Sequence, residues 1–251
     1  MGQGGPLIMN AVVGAVSYAI GAGAFALLSL LLATSWRGRL QGGLLLLASA
    51  GMAVWAGVNA WYLAYGALSA GWIWTLEAGH IFLWLIFLWR LLPRDFAASG
   101  TGRWLLYTAY GLGGGLVLYA WTSTWLGNGW FQQRFPELQI MGQLLLVLAG
   151  LTSVEQLYRN TRPDKRWYIK FLCLALGGLF AYEFYLYADA LLFKRFNPDL
   201  WAARGLVSAL LVPLLAVTAA RNPTWSVETF VSRDVVFHSA TVVGAGLYLL
   251  V

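Results

Sequence analysis

Apolar residues in this chain come in long unbroken runs, separated by short polar gaps, with no strict period-two alternation. A helix needs roughly 20 apolar residues at about 1.5 Å each to cross a ~30 Å hydrocarbon core. Seven runs meet that length or approach it: Leu7–Thr34, Leu44–Gly66, Trp72–Leu92, Trp104–Leu126, Leu138–Tyr158, Tyr168–Phe193 and Gly205–Ala220. An eighth, Val235–Val251, has 17 residues. The first run is too long, and lacks the basic leader, to be a cleaved signal peptide, so it counts as a span. Membrane-spanning strands would alternate, and these runs do not. The pattern predicts an all-α, polytopic transmembrane bundle of about eight spans, forming a single integral-membrane unit over residues 1–251.

Composition agrees with the pattern. Apolar residues make up 60% of the 251 and charged residues only 10%, with a mean hydropathy of +0.67. Soluble domains run about 45–50% apolar and about 25% charged. Too few polar side chains remain to coat a water-facing surface, which excludes a soluble enzyme domain, a disordered segment and a nucleic-acid module. The net charge of +6 is informative through its placement. Of the 16 Lys and Arg residues, twelve fall in one set of alternate gaps or at the span ends that flank them (Arg37 and Arg39; Arg90, Arg94 and Arg103; the Arg159–Lys170 group; Arg221 and Arg233). The other gaps hold only Arg134, Lys194, Arg195 and Arg204. Positive charge accumulates on the cytoplasmic side, so the N-terminus is predicted outside. Cys173 stands alone, which allows no internal disulfide. Gly111 and Gly115, four apart in the fourth span, predict a close helix approach. Trp72, Trp74, Trp121, Trp125 and Trp130 lie near span ends, as interfacial anchors do.

Ionisable groups inside hydrocarbon are costly and therefore candidates for function. Glu77 and His80 share one face of the third span. In the sixth, Tyr182, Tyr185 and Asp189 form one stripe, and Glu183 and Tyr187 the neighbouring one. By helical rise, Glu77 and Asp189 are expected at similar depth in the outer half, with Glu183 deeper. Glu77, His80, Tyr182, Glu183, Tyr185 and Asp189 thus form a candidate outer polar pocket, against the alternative of interhelical hydrogen bonds within a packed bundle. Glu155 and Arg159 read as an ordinary i,i+4 pair at the cytoplasmic face. No metal or cofactor is predicted. A Glu-x-x-His pair is only half of a di-iron site, and His238 begins the eighth span near the opposite face. Lys165, Lys170 and Lys194 lie in gaps or at span ends, so no buried lysine amine is available for a retinal-type Schiff base. No catalytic residue is assigned.

The C-terminal hundred residues carry further runs: EQLYRNTR from Glu155, RWYIKFLC from Arg166, FYLYADALLF from Phe184, LWAARG from Leu200, and ARNPTWS from Ala220 followed by VSRDVVFHS from Val231. Together these resemble the N-terminal membrane region of PrsK-type sensor histidine kinases, which accompany the exosortase/PEP-CTERM sorting system of Gram-negative bacteria. The resemblance is specific from Glu155 to Val251 and rests on span layout before that. It implies the signal-input and anchoring region of a two-component kinase linked to exopolysaccharide and surface-protein export, in the bacterial inner membrane. The family's stimulus is unidentified, and the partners expected of this chain are the lipid bilayer, a second copy in a homodimer and an unknown small-molecule or membrane stimulus. A response regulator would be reached only through cytoplasmic kinase domains, which this chain lacks; by itself it is not an enzyme. The short eighth span and the even number of crossings lead to the expectation that the natural polypeptide continues past Val251. The competing functional classes are a small-solute or proton-coupled transporter and a structural subunit of a membrane complex.

Overall fold

The computed structural model describes residues 4–35, 40–66, 68–92, 100–125, 137–161, 163 and 166–221. These form seven α-helices: α1 (Gly4–Ser35), α2 (Leu40–Tyr65), α3 (Ala70–Leu91), α4 (Gly100–Trp125), α5 (Glu137–Asn160), α6 (Arg166–Phe193) and α7 (Pro198–Arg221). No strand occurs among the described residues. Six of the helices, all except α4, are long and apolar enough to cross a membrane. In hydrocarbon every backbone polar group must be satisfied internally, and a helix does so within one segment. The outward faces agree: Leu27, Leu30, Val54, Leu174 and Leu192 are more than half exposed, which suits lipid and not water. This is a multi-pass membrane protein. The eighth run, Val235–Val251, and His238 lie outside the described residues.

Short connections make successive helices antiparallel. Tyr18 meets Trp55 across α1 and α2, Leu83 packs at Gly51 across α2 and α3, and Phe180 packs at Gly150 across α5 and α6. Six helices close a ring in the order α1, α2, α3, α5, α6, α7 and back to α1. The sixth contact, α1 on α7, is parallel: Gly14 faces Ala202, and the Leu206 N–H donates to Ser17 Oγ at 2.8 Å. Helix α4 lies outside the ring, in the groove between α3 and α5. Helices α1, α3, α5 and α7 all begin at one end of the bundle, here termed the entry end.

The glycines that permit close approach are not those the spacing suggested. A Cβ on Gly205 would fall 2.4 Å from the Ser17 carbonyl and Tyr18 Cα, and one on Gly21 would fall 2.7 Å from the Gly205 oxygen. The α1–α7 backbones therefore touch there, as small residues allow in membranes. Gly111 and Gly115 have nothing within 4 Å of such a Cβ; on α4 it is Gly113 that meets a neighbour, Phe82 at 3.2 Å.

Two termini govern the site. Helix α6 ends at Lys194, whose φ of 56° is left-handed, and the chain turns at once into α7. Asn197 then caps α7: its Oδ1 accepts the N–H of Asp199 at 3.0 Å, and Pro198 occupies the first helical position. The seventh span thus starts seven residues before the apolar run at Gly205. Arg204, expected in a gap, is inside the helix.

Candidate functional site

Arg204 is only 1% exposed. Its guanidinium sits between two carboxylates from other helices. Nε donates to Glu183 Oε1 at 3.1 Å and Nη2 to Glu183 Oε2 at 2.5 Å, a bidentate grip, and Nη2 also donates to Glu77 Oε1. Trp55 Nε1 donates to Glu77 Oε2 at 2.9 Å, and the Tyr187 hydroxyl donates to Oε1 at 2.6 Å. Aromatic faces enclose the cation: the guanidinium carbon lies 4.8 Å from the Trp55 and Trp201 ring centroids and 5.9 Å from that of Tyr187. Helices α2, α3, α6 and α7 all supply groups to one cluster.

Each side chain arrives for a local reason. Glu77 lies about two turns into α3, on the stripe that faces the ring interior with His80 and Trp84, all three buried. Glu183 and Tyr187 are one turn apart on the buried face of α6, so one reaches Arg204 and the other Glu77. Arg204 stands six residues into α7, about 9 Å along its axis, and the capped start sets that depth. Gly205 next to it lets α1 approach closely enough for buried Tyr18 to pack edge-on against Trp55 at 5.3 Å.

The structure brings three of the six candidate pocket residues together: Glu77, Glu183 and, beside them, His80. The His80 ring stacks on Trp55 at 4.3 Å and its Nδ1 lies 3.2 Å from the Leu76 carbonyl oxygen. The other three lie apart from the cluster. The Tyr182 hydroxyl donates to the Leu200 carbonyl at 2.7 Å and ties α6 to the first turn of α7. Tyr185 is 57% exposed and points away from the ring. Asp189 is half-buried and forms no ion pair among the described residues. Glu77 comes level with Glu183 and Tyr187, which it meets around Arg204, whereas helical rise alone places Glu183 deeper. At the far end, Arg159 and Glu155 pair at 3.0 Å with both side chains more than half exposed.

Sequence inspection missed Arg204, Trp55 and Tyr18. The signal for Arg204 was present in Asn197-Pro198-Asp199, a helix-start pattern that places the following residues within a helix. For Trp55 no local signal exists.

Chemically, the cluster is a buried cation held by two carboxylates that are themselves oriented by an indole and a phenol. Unused donor and acceptor capacity faces the same interior. His80 Nε2 has no hydrogen-bond partner among the described residues, and the Tyr18 hydroxyl lies beside the Arg204 guanidinium, whose Nη1 makes no well-aligned hydrogen bond. Such groups are normally satisfied in a protein interior, so a shift of one helix that lets them pair would be favoured. In comparisons with protein-family models, curated proteins and solved structures, nothing matches this chain.

Proposed function

We propose that the chain is the membrane-embedded signal-input and anchoring region of a bacterial two-component sensor histidine kinase serving exopolysaccharide and PEP-CTERM protein export. The observation that carries this reading is the Arg204–Glu77–Glu183 cluster, a buried charged joint tying α3, α6 and α7 inside the ring. Breaking a buried ion pair costs several kcal/mol, so such a joint has discrete made and broken states, as a switch requires. Its groups sit on three helices, so a stimulus at one end that moves any of them changes the others. Charge supports an entry end on the outside of the inner membrane: among the described residues, Arg90, Arg103, Arg159, Arg166, Lys170 and Arg221 lie at the opposite end, and Lys194, Arg195 and the buried Arg204 towards the entry end.

The test uses a host with an exosortase system whose own copy of the gene is deleted. It is complemented with wild type, Glu183→Gln or Gly115→Ala at matched abundance, and surface-protein export and exopolysaccharide are measured. Glu183→Gln is expected to shift both outputs while Gly115→Ala matches wild type. Outputs that do not differ between the deletion and wild type would end the signalling proposal. Proton-coupled transport is the second reading, favoured by two carboxyls facing one guanidinium. Proton flux in proteoliposomes that Glu183→Gln abolishes would put it first.

A further inference from the structure

A second polar site lies at the entry end, separate from the charged joint. A cavity of about 310 Å³ opens between the first turns of α3 and α5, the last turns of α4 and the α6–α7 turn. That volume falls at the small end of ligand pockets. Its walls divide by chemistry. Trp74 and Phe196, with ring centroids 5.9 Å apart, give an aromatic side, while Lys194 and Arg195 give a basic one. Gln139 and Ile140 line the cavity from α5, but the Gln139 amide itself is buried away from the cavity and offers no group to it.

The charge narrows the ligand. Lys194 already pairs with Glu137, which leaves Arg195 as the uncompensated cation among the described residues of the wall and a net charge near +1. The left-handed φ of 56° at Lys194 holds two basic side chains in a four-residue turn, where a β-carbon is disfavoured and glycine is the usual choice. A guanidinium fork beside an aromatic wall suits a singly charged phosphodiester with an apolar portion next to it. We infer that this cavity binds a phosphodiester monoanion, carried by a lipid headgroup or by a soluble ester. Phe196 connects the cavity to the joint: it packs against Tyr187 at 6.5 Å and Trp201 at 5.2 Å, which contact Glu77 and Arg204 respectively. Any role of the cavity in signalling rests on the function proposed above, but its binding chemistry does not.

Binding is measured on the purified chain in detergent, with dihexanoylphosphatidylglycerol, the zwitterionic dihexanoylphosphatidylcholine and soluble glycerophosphoglycerol as probes. The anionic lipid should bind wild type at least tenfold more tightly than the zwitterion. Arg195→Gln should weaken it about tenfold, while Arg221→Gln at the opposite end leaves it unchanged. Binding of glycerophosphoglycerol at comparable affinity assigns the ligand to a soluble ester; its failure beside tight lipid binding assigns it to a headgroup. Equal binding of both lipids, or no loss in a monodisperse Arg195→Gln protein, would overturn the site. Because Arg195 is exposed, its variant should remain folded. Export outputs are not part of this measurement, so the site and the signalling proposal can fail separately.

Discussion

Replacing Arg204 with methionine tests the charged joint most directly. The change removes three charge-assisted hydrogen bonds and two ring contacts at 4.8 Å, and leaves Glu77 and Glu183 buried without a counter-ion. Removing one partner of a buried ion pair costs about 3–5 kcal/mol, most of it from the charge left behind. At about 2–4 °C per kcal/mol for a chain of this size, the melting temperature should fall by roughly 6–20 °C. A triple variant, Glu77→Gln with Glu183→Gln and Arg204→Met, removes every charge and should recover much of that loss, because neutral amides can still meet Trp55 and Tyr187. Thermal unfolding in detergent, followed by size-exclusion recovery of the monodisperse species, compares wild type, the single variant and the triple. If Arg204→Met melts with wild type, or the triple melts below the single, the charges are not paired in the interior as argued.

The remaining predictions concern packing, ends and orientation. Gly205→Ala should destabilise by at least the roughly 1–3 kcal/mol of ordinary overpacking, since its Cβ meets backbone that cannot rotate away; Gly115→Ala, with open space around it, should be neutral or gain about 0.5–1 kcal/mol in the same melts. Asn197→Ala removes the α7 cap and should cost about 0.5–2 kcal/mol, and a melt matching that of wild type would count against the cap. Arg159→Ala should change stability by less than about 1 kcal/mol, because its pair with Glu155 is exposed; a larger drop would show that the pair does more than lie on the surface. In a Cys173→Ser background, a single cysteine at Asn128 or Asn197 should react with an impermeant maleimide from the periplasmic side and one at Asp164 should not; the reverse pattern would invert the orientation.

The helices of this protein were legible in its sequence because hydrocarbon allows so few alternatives. A continuous apolar run of sufficient length can satisfy its backbone only as a helix, and the boundaries of α2, α3 and α6 lie within four residues of the apolar runs. Helix α7 departs from its run because Arg204 and the polar residues before it resemble a loop when only hydropathy is considered. The cap at Asn197 and Pro198 carries the helix back through them. Glu77, His80 and Glu183 stood out as polar groups in apolar surroundings, but their meeting point did not. Arg204 is 127 residues from Glu77 and 21 from Glu183, and Trp55 reaches Glu77 from a different helix again. Those distances close only when six helices form a ring, and the ring closes where Gly205 lets α7 lie against α1. Glycine spacing alone favoured Gly111 and Gly115, which meet nothing, because a spacing shows which residues share a face of a helix but not which face another helix covers. Length and polarity determined that segments cross and which groups are costly to bury; only the tertiary packing decided which of those groups meet, because partner choice depends on contacts between helices that no local pattern encodes.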